Sequence, residues 1–241
     1  INLLELAARQ ARATGESVKF LFPSSIAVYG LPDLETKMQT RKVKENEQLN
    51  PRTMYGINKR YCEELGRYYS WYYRQIDPQP AAGYVDFRAI RFPGLISAQT
   101  LPTGGTSDYG PEMLHHAAQG MPYECFVPET ATLPFMIMPD AIDALLKLES
   151  APAKNLTQLV YNIRAFCVSA KDFYDIIKGA FPGMRVEFKP DARRQQIVDS
   201  WPADVDDSLA TREWDWKPAY DFQRSFEDYL IPAVKERYQK R

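Results

Sequence analysis

The sequence predicts an α/β protein built on a parallel sheet. Two observations predict it. Amphipathic helices and short apolar strands alternate from the first residues, the order of a parallel sheet with crossover helices. In addition, the apolar strand over residues 85–93 stops on Pro93-Gly94, and the carboxyl ends of strands are where such sheets open their ligand crevice. At 241 residues the chain can bury a large core, as one domain or as a domain with a smaller lobe.

Residues 1–12 read as an amphipathic helix with Ile1, Leu4, Ala7 and Ala8 on one face. Thr14-Gly15 ends it. A short apolar strand follows over 18–22, and its end runs into a turn that carries two hydroxyls, Ser24 and Ser25. Residues 31–50 are polar and charged (Lys37, Arg41, Lys42, Lys44, Glu45, Glu47) and read as a surface loop. A helix over 53–74 then repeats Ile57, Tyr61, Leu65, Tyr68 and Tyr72 close to the helical period, which predicts one buried stripe. Residues 77–83 are a breaker run.

In the strand over 85–93, Val85, Phe87 and Ala89 alternate with polar positions. Residues 97–110 form a loop rich in Gly, Thr and Ser. Helix is predicted over 111–120, with Pro111 acceptable in a first turn, and strands over 123–127 and 135–138. Asp140 is the expected cap of a helix over 141–149, and Ser169 of one over 170–180. Strands are predicted over 160–163 and 185–189, and an amphipathic helix over 222–237.

Composition narrows the function classes. A net charge of −1 gives no electrostatic case for nucleic acid or an anionic membrane. No apolar run approaches a transmembrane span and nothing at the start reads as a signal peptide. Cys62, Cys125 and Cys167 are widely spaced and odd in number, so neither a disulfide framework nor a metal site is expected, and the compartment reads as reducing and cytoplasmic. His115 and His116 read as a partly exposed helix face rather than metal ligands.

The chemistry points to Tyr55 and Lys59. Four residues apart on a helix, they share one face, and an ammonium beside a phenol favours the phenolate. Such a tyrosine can exchange a proton with a substrate hydroxyl; hydride removal would then need a cofactor. The bland reading is a core tyrosine beside a solvated lysine. Ser24 and Ser25 are either ordinary turn residues or a hydrogen-bonding partner for the reacting hydroxyl.

A strand, then Ser-Ser with Tyr29-Gly30, then Tyr55-Gly56 and Lys59 at a helix start resembles the extended short-chain dehydrogenase/reductase family, which includes NAD-dependent sugar-nucleotide epimerases and dehydratases. The resemblance implies a Rossmann-like, doubly wound parallel sheet with a smaller C-terminal substrate-binding lobe. It divides the chain into residues 1–95, with 136–165 returning, for the nucleotide half, and 96–135 with 166–241 for the lobe. No Gly-x-Gly-x-x-Gly turn is present, although a doubly wound sheet carries one in its first βα unit. The expectation is a C-terminal portion of a longer protein, preceded by three to four βα units, roughly 70–100 residues.

Within the family, Arg91-Phe92-Pro93-Gly94 stands where sugar-nucleotide enzymes carry an asparagine. Gly104-Gly-Thr-Ser-Asp-Tyr109, Asp199-Ser-Trp-Pro202 and Trp214-x-Trp216 look like the threonine-dehydrogenase branch. What that branch implies is NAD-dependent oxidation of an amino acid, L-threonine, to 2-amino-3-oxobutanoate without a metal. It lends roles to positions: Tyr55 as proton acceptor, Lys59 holding the nicotinamide ribose, Ser25 on the substrate hydroxyl, and Phe92, Pro93, Gly94 and Leu95 lining the nicotinamide. Thr106 would bind the carboxylate and Trp201 close the pocket, against the alternatives of a loop hydroxyl and a packed tryptophan. The helix over 53–74 would pair with its copy in a homodimer. The alternative functions are a UDP-sugar epimerase or dehydratase, or a non-enzymatic fragment unable to bind NAD.

Overall fold

The computed structural model describes residues 1–76 and 83–239; the breaker run expected over 77–83 lies outside them except for Gly83. Helix α1 (Asn2–Thr14) buries Leu4, Ala7, Ala8 and Ala11. Gly15 closes it at φ 74°, a left-handed conformation that costs glycine little. Ile1, expected on the buried stripe, is exposed. Strand β1 (Val18–Ser25) follows, and its carboxyl end curls into a 3₁₀ turn over Ile26–Val28.

The stretch 31–50 is not the surface loop its charges predict. Helix α2 (Leu34–Gln39) forms there, capped by Asp33, whose side chain accepts from the Thr36 amide. Lys37 is 2% exposed and its Nζ donates to the Val198 carbonyl at 2.8 Å. Burial pushes that amine down to about 8. Val43 pairs with Val205. A long aliphatic stem lets a lysine fill a core and still satisfy its head group, which composition cannot reveal.

Helix α3 (Met54–Arg67) passes into a π-helical turn over Tyr68–Tyr72. Its predicted buried stripe is largely wrong. Ile57, Tyr61, Tyr68 and Tyr72 are exposed, whereas Gly56, Glu63, Gly66 and Tyr69 are buried. The buried face is made of glycines and a carboxylate because the helix lies close on β2 (Val85–Phe92). A Cβ on Gly66 would sit 2.3 Å from the Phe87 ring. Strand β2 runs parallel to β1 from Val18 opposite Val85 to Ser25 opposite Phe92. All eight of its residues are buried, so the predicted polar face does not exist: elements cover both sides of the sheet. Asp86 and Arg88 satisfy each other at 2.6 Å, and Arg88 also donates to the carbonyls of Leu148 and Ala151.

Next come β3 (Gly94–Ile96), α4 (Tyr109–Ala118), β4 (Tyr123–Cys125), β5 (Thr132–Ile137), α5 (Met138–Ser150), β6 (Val160–Asn162) and β7 (Phe166–Ser169). Then follow α6 (Ala170–Ala180), β8 (Val186–Phe188), α7 (Ala192–Ser200) and α8 (Ser208–Trp214). Short α9 (Phe222–Arg224) leads through a π-helical turn into α10 (Ile231–Gln239). Strands β1, β2 and β6 form one parallel sheet in that order, β3, β5 and β7 a mixed one, and β4 pairs with β8. The architecture is α/β, as predicted.

Strands β3 and β7 were not expected, being three and four residues long. Ser169 does cap α6, in a full capping box with Asp172. Asp140 does not cap α5: the helix starts at Met138 with Pro139 in its first turn. The Asp140 carboxylate is buried and accepts instead from the amides of Ala219 and Tyr220, tying α5 to the segment before α9. His115 is likewise buried, with Nδ1 2.9 Å from the Tyr238 hydroxyl of α10; only His116 keeps a part-exposed position.

Candidate active site

The carboxyl ends of β1 and β2 lie side by side and open into a cavity of about 520 Å³. It is lined by Ser25, Tyr55, Lys59, Phe92, Pro93, Gly94, Leu95, Thr106 and Trp201, among others. Five separate segments bring these nine residues together. Ser25 ends β1, Tyr55 and Lys59 stand on the first turns of α3, and Phe92–Leu95 cross from β2 into β3. Thr106 lies in the loop before α4, and Trp201 follows α7.

Local chemistry explains the start of α3. Thr53 caps it, its side chain accepting from the Gly56 amide at 3.0 Å, which sets Tyr55 in the first turn. A Cβ on Gly56 would lie 2.0 Å from the Ala27 carbonyl oxygen. Only glycine lets the helix start press against the turn that follows Ser25. Four residues on, Lys59 reaches back over β1. Its Nζ donates to the Pro23 carbonyl at 2.5 Å and stands 5.5 Å from the Tyr55 ring centre and 5.0 Å from that of Phe22. Burial lowers the Lys59 amine from its ordinary value. Tyr55 itself is 54% exposed, so its hydroxyl is open to a small molecule in the cavity.

Two residues that line the cavity, Ser25 and Thr106, have bonding capacity left over. Ser25 Oγ accepts from the Ala27 amide at 3.2 Å, but its own proton goes to no acceptor among the described residues. The Thr106 hydroxyl has no partner among them either. Trp201 is buried, and its Nε1–H is unpartnered there. A buried donor without an acceptor is costly; Trp201 lines the cavity with other atoms, while its Nε1 is itself closed off from solvent.

The wall that carries Thr106 is held by side chains. Asp108 Oδ2 accepts from the amides of Thr103 and Gly105, at 3.1 and 2.7 Å. Arg194 of α7 donates to the carbonyls of Gly104 and Gly105 at 3.2 and 3.1 Å while its guanidinium lies over the Phe126 ring. Neither anchoring role was foreseen; Asp108 sits in the motif Gly-Gly-Thr-Ser-Asp, but nothing local marks Arg194.

Sequence reasoning also missed the layer behind the cavity. Ser24, read as a possible site hydroxyl, donates at 2.6 Å to Glu63 of α3, and Glu63 pairs with Arg91 of β2. The available signal was an arginine within a strand flanked by apolar residues, since a buried guanidinium needs a carboxylate.

Comparison with known proteins agrees with this geometry. Residues 1–163 match the model of the NAD dependent epimerase/dehydratase family. A mitochondrial L-threonine 3-dehydrogenase of Bos taurus is 33% identical over 220 residues, 91% of this chain and 53% of its own length. An uncharacterized epimerase/dehydratase of Staphylococcus haemolyticus is 34% identical over 92% of the chain and 65% of its own length. Among solved structures, L-threonine dehydrogenase from Phytophthora infestans superposes with a TM-score of 0.80 at 34% identity, covering 98% of this chain and 69% of that one. The chain thus spans about half the length of the bovine relative, 53%.

Proposed function

The chain belongs to the NAD dependent epimerase/dehydratase family, and on that premise we propose that the protein oxidises L-threonine at its β-carbon with NAD, giving 2-amino-3-oxobutanoate. What supports this most is that Ser25, Tyr55, Lys59, the 92–95 backbone, Thr106 and Trp201 share one cavity at the strand ends. The identities to threonine dehydrogenases over nearly the whole chain support the substrate.

The donor set suits the nicotinamide end of NAD: an ammonium beside a hydroxyl, and an apolar backbone segment crossing from one strand to the next. When bound there, NAD supplies the hydride acceptor. The chain's own residues do the rest. Ser25 donates to the oxygen of the substrate hydroxyl with the proton it has free. Tyr55, as phenolate, takes that hydroxyl's proton as the carbonyl forms. Lys59 holds its charge next to the Tyr55 ring, where it favours the negative oxygen. Thr106 donates to the carboxylate and Trp201 closes over the amino acid.

By the same reading, the β1–β2–β6 sheet with the helices around it (residues 1–95 and 136–165) is the nucleotide half, and 96–135 with 166–241 the substrate lobe. We propose a homodimer formed through the exposed Ile57 and Tyr61 of α3 and Tyr68 and Tyr72 of the turn after it, because apolar groups clustered in that way mark interaction surfaces. We propose a reducing, cytoplasmic setting, consistent with three free cysteines. No helix among the described residues is long and apolar enough to cross a membrane.

Calorimetric titration with NAD and an assay of threonine-dependent NADH formation, on the protein as its gene encodes it, test the reading. NAD binding with turnover that Tyr55→Phe abolishes is expected; removing the proton acceptor costs about 10²–10⁴-fold. A Tyr55→Phe variant with substantial turnover would overturn the role of Tyr55, and absence of NAD binding would overturn the function.

A further inference from the structure

The residues that face the cavity are held by one carboxylate that never touches it. Glu63 is fully buried on the inner face of α3, one turn beyond Lys59 and two beyond Tyr55. Its Oε1 accepts from Ser24 Oγ at 2.6 Å and from Arg91 Nε at 2.9 Å. Its Oε2 accepts from Arg91 Nη2 at 2.7 Å. Arg91, 1% exposed, turns its Nη1 to the Tyr29 hydroxyl at 2.9 Å and the Glu45 carbonyl at 2.7 Å.

The neighbours of these groups in sequence matter most. Ser24 lies between Pro23, whose carbonyl holds Lys59, and Ser25. Arg91 immediately precedes Phe92–Leu95. A single buried carboxylate therefore binds the end of β1, the end of β2 and helix α3 to one another, each within a residue or a turn of a group that lines the cavity. A fork-to-fork guanidinium–carboxylate pair fixes orientation as well as distance, which apolar packing between glycines and a phenylalanine ring cannot do alone.

We infer that Glu63 is the positioning residue of this site: through Ser24 and Arg91 it sets the height of α3 over the two strand ends, and so where Lys59 and Tyr55 stand relative to Ser25. The inference rests on the proposed dehydrogenase reading for its kinetic consequence, but not for its geometric one.

The test uses Glu63→Gln and Glu63→Asp in the protein as its gene encodes it, with three readouts. They are kcat and KM for threonine with NAD, thermal melting, and the acylation rate of Lys59 by an amine-reactive ester, followed by peptide mapping. Expected for Glu63→Gln is a kcat lowered by about 10- to 100-fold, because misplacement of about 1 Å is costly, with KM for threonine nearly unchanged. Lys59 acylates severalfold faster as its bond to Pro23 loosens. Glu63→Asp, which keeps the charge, recovers part of both. A folded Glu63→Gln protein with the parent's kcat and Lys59 rate overturns the inference. So does a loss of kcat that merely follows a loss of folded protein, with the rate of Lys59 in the folded fraction unchanged.

If Glu63→Gln does not fold, Ser24→Ala removes one bond and leaves the ion pair. Faster acylation of Lys59 is then expected, and an unchanged rate overturns the inference. If the unaltered protein has no dehydrogenase activity, the proposed reaction fails, and the positioning role stands or falls on Lys59 acylation alone.

Discussion

The two walls of the cavity are built differently. The strand wall, where β1, β2 and α3 meet, is held by an ion pair with essentially no solvent exposure, Glu63 with Arg91. The loop wall, residues 103–108, is held by exposed hydrogen bonds that Asp108 accepts and Arg194 donates. Breaking a buried pair by removing one partner costs about 3–5 kcal/mol, because the other charge is stranded. Losing one exposed hydrogen bond costs about 0.5–1.5 kcal/mol. The wall that carries the proposed proton transfer is therefore stiff, and the wall that carries the proposed carboxylate contact is the one that can change shape cheaply.

Substitutions can break this contrast. The largest effect is expected on the strand wall. Gly66→Ala places a methyl 2.3 Å from the Phe87 ring, within the contact between α3 and β2. Overpacking of that kind costs about 1–3 kcal/mol, read as a lower urea midpoint with an unchanged slope. Gly179→Ala in α6 meets nothing within 4 Å and is expected to be neutral, or to gain up to about 1 kcal/mol from helix propensity. Equal midpoints for the two variants would mean that α3 is not pressed against β2 at Gly66.

On the loop wall, Thr106→Ala is expected to raise KM for threonine by about 5- to 10-fold, the worth of one hydrogen bond, with kcat little changed and NAD affinity intact. An unchanged KM would remove Thr106 from the site.

A further effect concerns pH, at His115 where α4 meets α10. Burial, with the charges of Arg237 and His116 beside it, pushes His115 down to about 4. The unfolded imidazole takes up its proton near 6.5, so between about 6.5 and 4 the unfolded state binds more protons and stability falls as pH drops. Above that window the contribution is constant. Urea midpoints from pH 7 to 4.5 should decline less steeply in His115→Gln. Parallel curves for the two proteins would mean that His115 carries no such linkage.

Much of the frame was legible because it is local. Ser169 and Asp172 cap α6 by their own side chains, Gly15 ends α1 by its φ, and Thr53 sets Tyr55 in a first turn. The spacing of Tyr55 and Lys59 on one helix was equally legible, since four residues are one turn. Where patterning misled, long-range contact outvoted it. The aromatic stripe of α3 reads as core but is exposed, while the helix buries glycines and a glutamate. Lys37 and Asp140 read as surface and cap, yet each closes a hydrogen bond to a segment far along the chain, at Val198 and at Ala219 and Tyr220.

The sequence by itself determined the alternation of helix and strand, the chemistry available at Tyr55, Lys59, Ser25 and Thr106, and the order in which they come along the chain. Only the tertiary structure decided that these groups share a cavity, and that Glu63 rather than any cavity-lining residue ties the strand ends to α3. The reason is physical. Hydrophobic period and capping act over one or two turns, whereas satisfying a buried charge depends on which partner the fold brings within 3 Å. In the chain, Glu63 and Arg91 are 28 residues apart, and no local preference joins them.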